Sequence, residues 1–356
     1  MAFIQGKNPN GETLDQYDGV TNYADTIIGN AGKDTIYGLG GDDVIKGGGG
    51  ADYINGGSGF DMASYEDSAA GVTVNLQAGA GQGGTAEGDT LVDIEGVTGS
   101  GYADTLIGST ADNTLVGGGG ADILKGGGGA DTLDGGAGDD NVVVDSQTDT
   151  AIGGDGIDTL VLQGPLGMTV SLTTGVLRDG DNGYHGYPQH YGPKMVSGFE
   201  NVSGSTQNDA IYGSAAANVL SGDGGSDYIA GYDGDDTIDG GAGDDTIVGG
   251  AGVDKLTGGA GFDTFRFVAF TDSTIADGKP QELISDFQQG VDRIDLSVLE
   301  FELADLLVLD GKKMDGLNVS YVGVDADHNG KFDAGEFAVA VKMDPGAHLT
   351  SADLIL

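Results

Sequence analysis

The sequence predicts an all-β protein, a parallel β-roll of nine-residue repeats closed by a small carboxyl-terminal cap, and three observations predict it. A nine-residue beat, Gly-Gly-x-Gly-x-Asp-x-apolar-x, runs through three blocks and is clearest at 117–143, GGGGADILK GGGGADTLD GGAGDDNVV. The eighth position carries an apolar residue, so one such side chain per unit points the same way. Glycine supplies 71 of 356 residues and cysteine none, so few large apolar groups and no disulfides hold the chain together. A repeat of this period sets the fold ahead of local propensity.

Each position has a physical reason. Glycines in the first half admit left-handed backbone and let carbonyls converge. The sixth-position Asp supplies a hard anionic oxygen, the kind of ligand calcium takes. The last three residues form a short strand with the eighth side chain inward and the seventh and ninth outward. Two units make one coil, and calcium is expected between neighbouring turns.

The first block, 20–64, carries Asp25, Asp34, Asp43, Asp52 and Asp61, with Ile27, Ile36, Ile45, Ile54 and Ala63 inward. The second, 99–162, carries Asp104, Asp122, Asp131, Asp140, Asp149 and Asp158 over Leu106, Leu115, Leu124, Leu133, Val142 and Leu160. The third, 204–266, carries Asp209, Asp227, Asp236, Asp245, Asp254 and Asp263 over Ile211, Leu220, Ile229, Ile238, Ile247, Leu256 and Phe265. All of these aspartates except Asp149 are expected metal ligands, together with the backbone at Gly117, Gly126, Gly135, Gly240, Gly249 and Gly258. If adjacent same-side turns share one ion each, the chain takes on the order of ten to fifteen calcium ions.

Units such as GGAGDDTIV (240–248) and GGAGFDTFR (258–266) resemble those of the RTX, or hemolysin-type calcium-binding, repeat proteins. The segment ELISDFQQGVDRIDLS (282–297) resembles the piece that follows the repeats in serralysin-type secreted proteases. The ending LTSADLIL (349–356) is similar to the acidic-apolar terminus of type I secretion substrates. The resemblance implies calcium-dependent folding and export through type I secretion machinery from a Gram-negative cell. It does not imply proteolysis, because no H-E-x-x-H is present.

Composition points the same way. Fifty-seven acidic residues against fourteen basic ones leave a net charge of −43, so the chain should stay disordered until a counter-ion enters the folded state. That charge repels nucleic-acid phosphates. No apolar run is long enough for a transmembrane segment. The start MAFIQGKNPNGETLDQ lacks the basic and apolar regions of a cleaved leader. Weak extracellular-type calcium sites fit millimolar calcium. The expected location is secreted, extracellular or at the cell surface.

Residues 1–19 form an amino-terminal segment, and two β-rich connectors, 65–98 and 163–203, separate the blocks. IEGVTGSGYADTLIGS (94–109) aligns without gaps with FENVSGSTQNDAIYGS (199–214), and GVTVNL (71–76) with GMTVSL (167–172). Both connectors are therefore expected to continue the stack as wider coils. The second holds the loop YHGYPQHYG (184–192), which reads as an ordered loop packed on the roll, a contact surface, or less simply a His185/His190 metal site. GSTADNTLV (108–116), GSAAANVLS (213–221) and VDSQTDTAI (144–152) lose the glycine pair, and the first two place Asn113 and Asn218 where Asp is expected. These three are expected gaps or ends in the ion rows.

Residues 267–356 read as the cap and type I secretion region, with a short helix expected between Leu299 and Leu309. Within it, DADHNGKFDAGE (325–336) fits the calcium-loop pattern. Asp325, Asp327 and Asn329 supply oxygens, Gly330 the turn, Lys331 its carbonyl, Glu336 a bidentate carboxylate, and Asp333 a direct or water-mediated contact.

Enzymatic constellations are not found: besides H-E-x-x-H, the G-x-S-x-G of lipases is missing. The expected function is a non-enzymatic calcium-binding structural protein, an extracellular matrix, surface-layer or adhesion component that self-assembles or meets cell-surface polysaccharide. One alternative is an accessory module of a polysaccharide-active enzyme, since alginate epimerases carry similar modules. Another is ice binding through the outward Thr26, Thr35, Thr105, Thr132, Thr237 and Thr246, a row that is interrupted.

Overall fold

The computed structural model describes residues 2–8, 10–15, 17–179, 195–276, 279–314 and 316–356. The Tyr/His loop 184–192 lies outside them. The chain divides into two compact units, one of Met1–Val161 with Lys194–Phe199, the other of Leu162–Pro193 with Glu200–Leu356. Helical structure among the described residues is confined to the 3-10 turns Gly84–Ala86, Leu303–Asp305 and Ser351–Asp353. No helix among the described residues is long and apolar enough to cross a membrane.

Strands pair in parallel with the residue eighteen positions on. Ile27 stands opposite Ile45, Ile36 opposite Ile54, Leu115 opposite Leu133, and Ile229 opposite Ile247. One coil is thus two nine-residue units, and odd and even units build the two faces of a parallel β-roll. The inward row is sealed: Ile27, Leu124, Leu133, Ile238 and Phe265 are all fully buried. Each such aliphatic side chain contributes roughly 1.5–3 kcal/mol. Register cannot slip by one residue without turning this row outward.

In the first unit one face runs from Phe3–Gln5 through Thr26–Ala31, Val44–Gly49 and Met62–Ser64 to Gly96–Thr98, Thr114–Gly119, Thr132–Ala137 and Thr150–Asp155. The first connector is part of this stack. Gly96–Thr98 lies between Met62–Ser64 and Thr114–Gly119, Thr90–Val92 extends Tyr53–Asn55, and Thr73–Asn75 precedes Thr105–Ser109. Ala80–Gln82 pairs antiparallel with both Thr73–Asn75 and Thr90–Val92, on the same face.

In the second unit one face runs from Met168–Ser171 through Ala210–Tyr212, Tyr228–Asp233, Thr246–Ala251 and Thr264–Arg266 to Arg293–Asp295 and Leu354–Ile355. The other runs from Asn201–Ser203 through Val219–Ser221, Thr237–Ala242 and Lys255–Ala260 to Glu282–Phe287 and Ala338–Met343. Leu317–Val324 and Leu306–Met314 then add antiparallel. The cap therefore continues both faces of the roll.

The helix expected between Leu299 and Leu309 is not formed. A capping box between Glu302 and Asp305 closes a single 3-10 turn. The chain then extends, because Leu306, Val308 and Leu309 find partners in Val324, Val322 and Tyr321. Sheet pairing outweighs a helix only a few residues long.

Candidate metal centre

The sixth-position aspartates point inward beneath the turns and are nearly all inaccessible, with Asp34, Asp43, Asp61, Asp122 and Asp158 fully buried. A regular hydrogen bond holds each one: the backbone N–H of one row aspartate donates to Oδ1 of the aspartate in the next coil. Asp25 donates to Asp43 at 2.7 Å, Asp34 to Asp52 at 2.7 Å, and Asp43 to Asp61 at 2.9 Å. Asp104 donates to Asp122 at 2.7 Å, Asp122 to Asp140 at 2.8 Å, and Asp140 to Asp158 at 2.9 Å. Asp209 donates to Asp227, Asp227 to Asp245, Asp236 to Asp254 and Asp245 to Asp263, all within 2.7–3.1 Å.

The second carboxylate oxygen divides the rows into two kinds. In Asp34, Asp43, Asp52, Asp61, Asp122, Asp131, Asp140, Asp227, Asp236, Asp245, Asp254 and Asp263, Oδ2 is buried and accepts no hydrogen bond. A buried, unpaired carboxylate oxygen is costly unless a cation meets it. Burial accordingly pushes Asp227 up to about 8 and Asp122, Asp131, Asp236 and Asp263 to about 7, the single backbone donor only partly offsetting it.

The oxygen lies against the first glycine of its own unit: Asp122 at Gly117, Asp131 at Gly126, Asp140 at Gly135, Asp245 at Gly240, Asp254 at Gly249 and Asp263 at Gly258. A Cβ on Gly240 would lie 2.5 Å from Asp245 Oδ2 and 2.6 Å from the Gly258 carbonyl oxygen. The space a side chain would take is thus bounded by a carboxylate oxygen and the next coil's carbonyl. The second residue has positive φ, as at Gly241 (φ +100°), a conformation a β-carbon disfavours but that Asn30, Leu39, Asp223 and Tyr232 also take here. Hard oxygen donors, no nitrogen or sulfur, and unmet negative charge fit calcium.

The other kind is satisfied internally. Asp25 Oδ2 accepts the Thr21 N–H at 2.7 Å and the Thr21 hydroxyl at 2.8 Å. Asp104 Oδ2 accepts the Ser100 N–H, and Asp209 Oδ2 the Ser205 N–H at 2.6 Å. Sequence grouped Asp25, Asp104 and Asp209 with the other ligands; the geometry separates them, because Thr or Ser in place of the second glycine turns its N–H onto the carboxylate. Asn113 and Asn218 accept in the same way from Ser109 and Ser214, and their amide NH2 groups donate to the Glu95 and Glu200 carbonyls. Asp149 accepts from Asp145 and Ser146, both at 3.1 Å.

Sequence reasoning missed four acids that take rung positions outside the repeats. Asp52 donates to Asp89, Asp61 to Glu95, Asp254 to Glu282 and Asp263 to Asp292. Their separations of 37, 34, 28 and 29 residues hide them from an eighteen-residue period. The available signal was an acid two residues before an inward aliphatic: Leu91, Val97, Ile284 and Ile294. At Asp89 the Tyr65 hydroxyl donates to Oδ2 at 3.1 Å and stands where a cation would otherwise be needed.

The loop 325–336 joins Leu317–Val324 to Ala338–Met343, which pair antiparallel, so strands rather than helices flank it. Carboxylate oxygens of Asp325, Asp327 and Glu336 lie within 4.8 Å of one another. Gly330 N–H donates to Asp325 Oδ2 at 2.8 Å, and the Asn329 side chain donates to Asp327 at 2.9 Å and Asp333 at 2.6 Å. Gly330 sits at φ +79°, and Lys331 is exposed.

Stacked parallel coils with carboxylates and carbonyls at every turn define a calcium-binding β-roll repeat protein. Segments 21–46, 28–63, 98–133, 116–151, 125–160, 196–229 and 230–265 match the family model of the RTX calcium-binding nonapeptide repeat; these parts of the chain are RTX repeats, and such repeats bind calcium. The solution structure of a subunit from the Azotobacter vinelandii mannuronan C5-epimerase is similar at 29% sequence identity over 49% of this chain and 85% of that one, with a TM-score of 0.21. No curated protein matches the chain significantly. The RTX repeat is a structural calcium-binding module rather than a catalytic one.

Proposed function

We propose that this is a secreted structural protein whose rolls fold when the chain meets millimolar calcium, and that it serves as an extracellular matrix, surface-layer or adhesion component. The observation that carries the reading is the row of buried aspartates with one oxygen bonded to an N–H of the preceding coil and the other unpartnered. Ions there are held by the unpartnered Oδ2 atoms of the row aspartates and neighbouring glycine carbonyls. The Thr- and Ser-type turns at Asp25, Asp104 and Asp209 need none. A separate ion is held by Asp325, Asp327 and Glu336, with Asn329, Asp333 and the Lys331 carbonyl completing the loop.

Export through type I machinery suits a chain that cannot fold before it reaches calcium. A net charge of −43 supports this, since apo coils repel one another. The outward threonines form only short runs, such as Thr114, Thr132 and Thr150, and Val44, Tyr53 and Ile123 interrupt them beside Thr26, Thr35 and Thr105, so ice binding is the weaker reading.

Circular dichroism and small-angle scattering test the folding half. In chelator at neutral pH the chain is expanded and lacks sheet signal, and millimolar calcium folds it cooperatively; a compact, sheet-rich apo state at that pH refutes the reading. Electron microscopy of the calcium-loaded protein tests the assembly half. Sheets, filaments or cell binding support it, whereas turnover of a uronide polymer points to an enzyme-associated module.

A further inference from the structure

We propose that Asp254 and Glu282 together hold an additional calcium ion outside the nonapeptide repeats, where the last repeat coil meets the cap. The inference rests on reading the aspartate rows as calcium sites, and extends that reading to a glutamate belonging to no repeat.

The strand Glu282–Phe287 pairs with Lys255–Ala260 so that Leu283 faces Lys255 and Ile284 faces Leu256. Glu282 therefore stands next in the row after Asp254. Its Oε1 accepts the Asp254 N–H at 3.1 Å, the same rung that Asp236 makes to Asp254 at 2.8 Å. Glu282 is fully buried, and its Oε2, like Asp254 Oδ2, has no hydrogen-bond partner. The two carboxyls lie close enough to share a proton, and the leading charges acting on Glu282 are the acids Asp254 and Asp272.

Nearby polar groups are committed elsewhere. Asp272 Oδ2 accepts the N–H groups of Val268 and Ala269 at 2.6 and 2.8 Å. The Ser273 hydroxyl donates to the Ala338 carbonyl. A shared proton would serve one contact between the two acids and leave a buried negative charge. A divalent cation meets both free oxygens and neutralises both carboxylates. Glu282 also pairs across to Val339 in the cap strand Ala338–Met343, so an ion here couples cap docking to calcium.

The test is equilibrium dialysis of radioactive calcium with the full chain, its Glu282→Gln variant and its Glu282→Met variant, alongside hydrogen exchange. Both variants should bind one ion fewer than the parent. The amides of 338–343 should lose calcium-dependent protection while those of 237–251 keep theirs. An unchanged ion count in either folded variant overturns this site alone and assigns the pair a shared proton. A parent chain that takes up no calcium overturns the reading of the rows and this site with it. Glu282→Met removes the buried polar group as well as its charge, so it remains informative if Glu282→Gln does not fold.

Discussion

At the scale of single residues, the second oxygen of each row carboxylate separates turns that need a cation from turns that do not. Asp245 offers a rung acceptor and an unpartnered oxygen, whereas Asn218 is neutral and fully bonded within the protein. Asp245→Ala should cost about 3 kcal/mol in saturating calcium and raise the calcium midpoint, since it strips a buried charge from its ion. Asn218→Ala should cost about 1 kcal/mol, the worth of neutral hydrogen bonds, with a smaller midpoint shift. Denaturant unfolding at fixed calcium measures both, and equal costs would contradict the division. Gly240→Ala inserts a methyl between Asp245 Oδ2 and the Gly258 carbonyl; we expect a loss of about 1–3 kcal/mol and weaker calcium uptake in the same assay.

Among elements, the coil is the unit whose stability depends on proton and calcium activity together. In calcium-free protein, burial holds Asp227 at about 8 and Asp122, Asp131, Asp236 and Asp263 near 7, above the unfolded carboxylate value. Between about pH 4 and pH 8 the folded rows therefore bind more protons than the unfolded chain. Apo stability is consequently greatest in acid and is lost as pH rises through that window. Titration in chelator, followed by far-ultraviolet circular dichroism, should show sheet signal growing below about pH 5 and fading toward neutrality. A signal that strengthens with pH would refute the assignment. With calcium present the direction reverses, because the ion requires the ionised carboxylates and displaces their protons.

For the whole molecule, a glycine-rich chain bearing −43 charges has a folded state that calcium must create. An unfolded chain of this length has a radius of gyration of roughly 70 Å, so the scattering change on calcium addition is large. The cap makes a separate contribution. Asp325, Asp327 and Glu336 converge on a hairpin loop away from the repeat rows. Glu336→Gln should remove one bound ion in calorimetric titration while leaving the cooperative folding of the repeats in place; an unchanged ion count would show that the loop takes none.

The nine-residue spacing by itself determined the coil, the inward row from Ile27 to Phe265 and the acid or amide at each turn, because an exact period leaves one register that buries the eighth residue of every unit. The same spacing determined the chemistry, since it repeats one carboxylate and its carbonyls at the same height. Tertiary structure alone decided which of those carboxylates keep an unmet oxygen. That depends on where the second residue of each turn aims its N–H, and a pattern that counts Asp25 and Asp43 as equals does not contain it. It also decided that Asp89, Glu95, Glu282 and Asp292 continue the rows, since coils of unequal length bring distant acids to one rung. The strand at 306–314 was hidden for a related reason: a short apolar run extends or coils according to the partner beside it, and only the folded chain supplies Leu317–Val324.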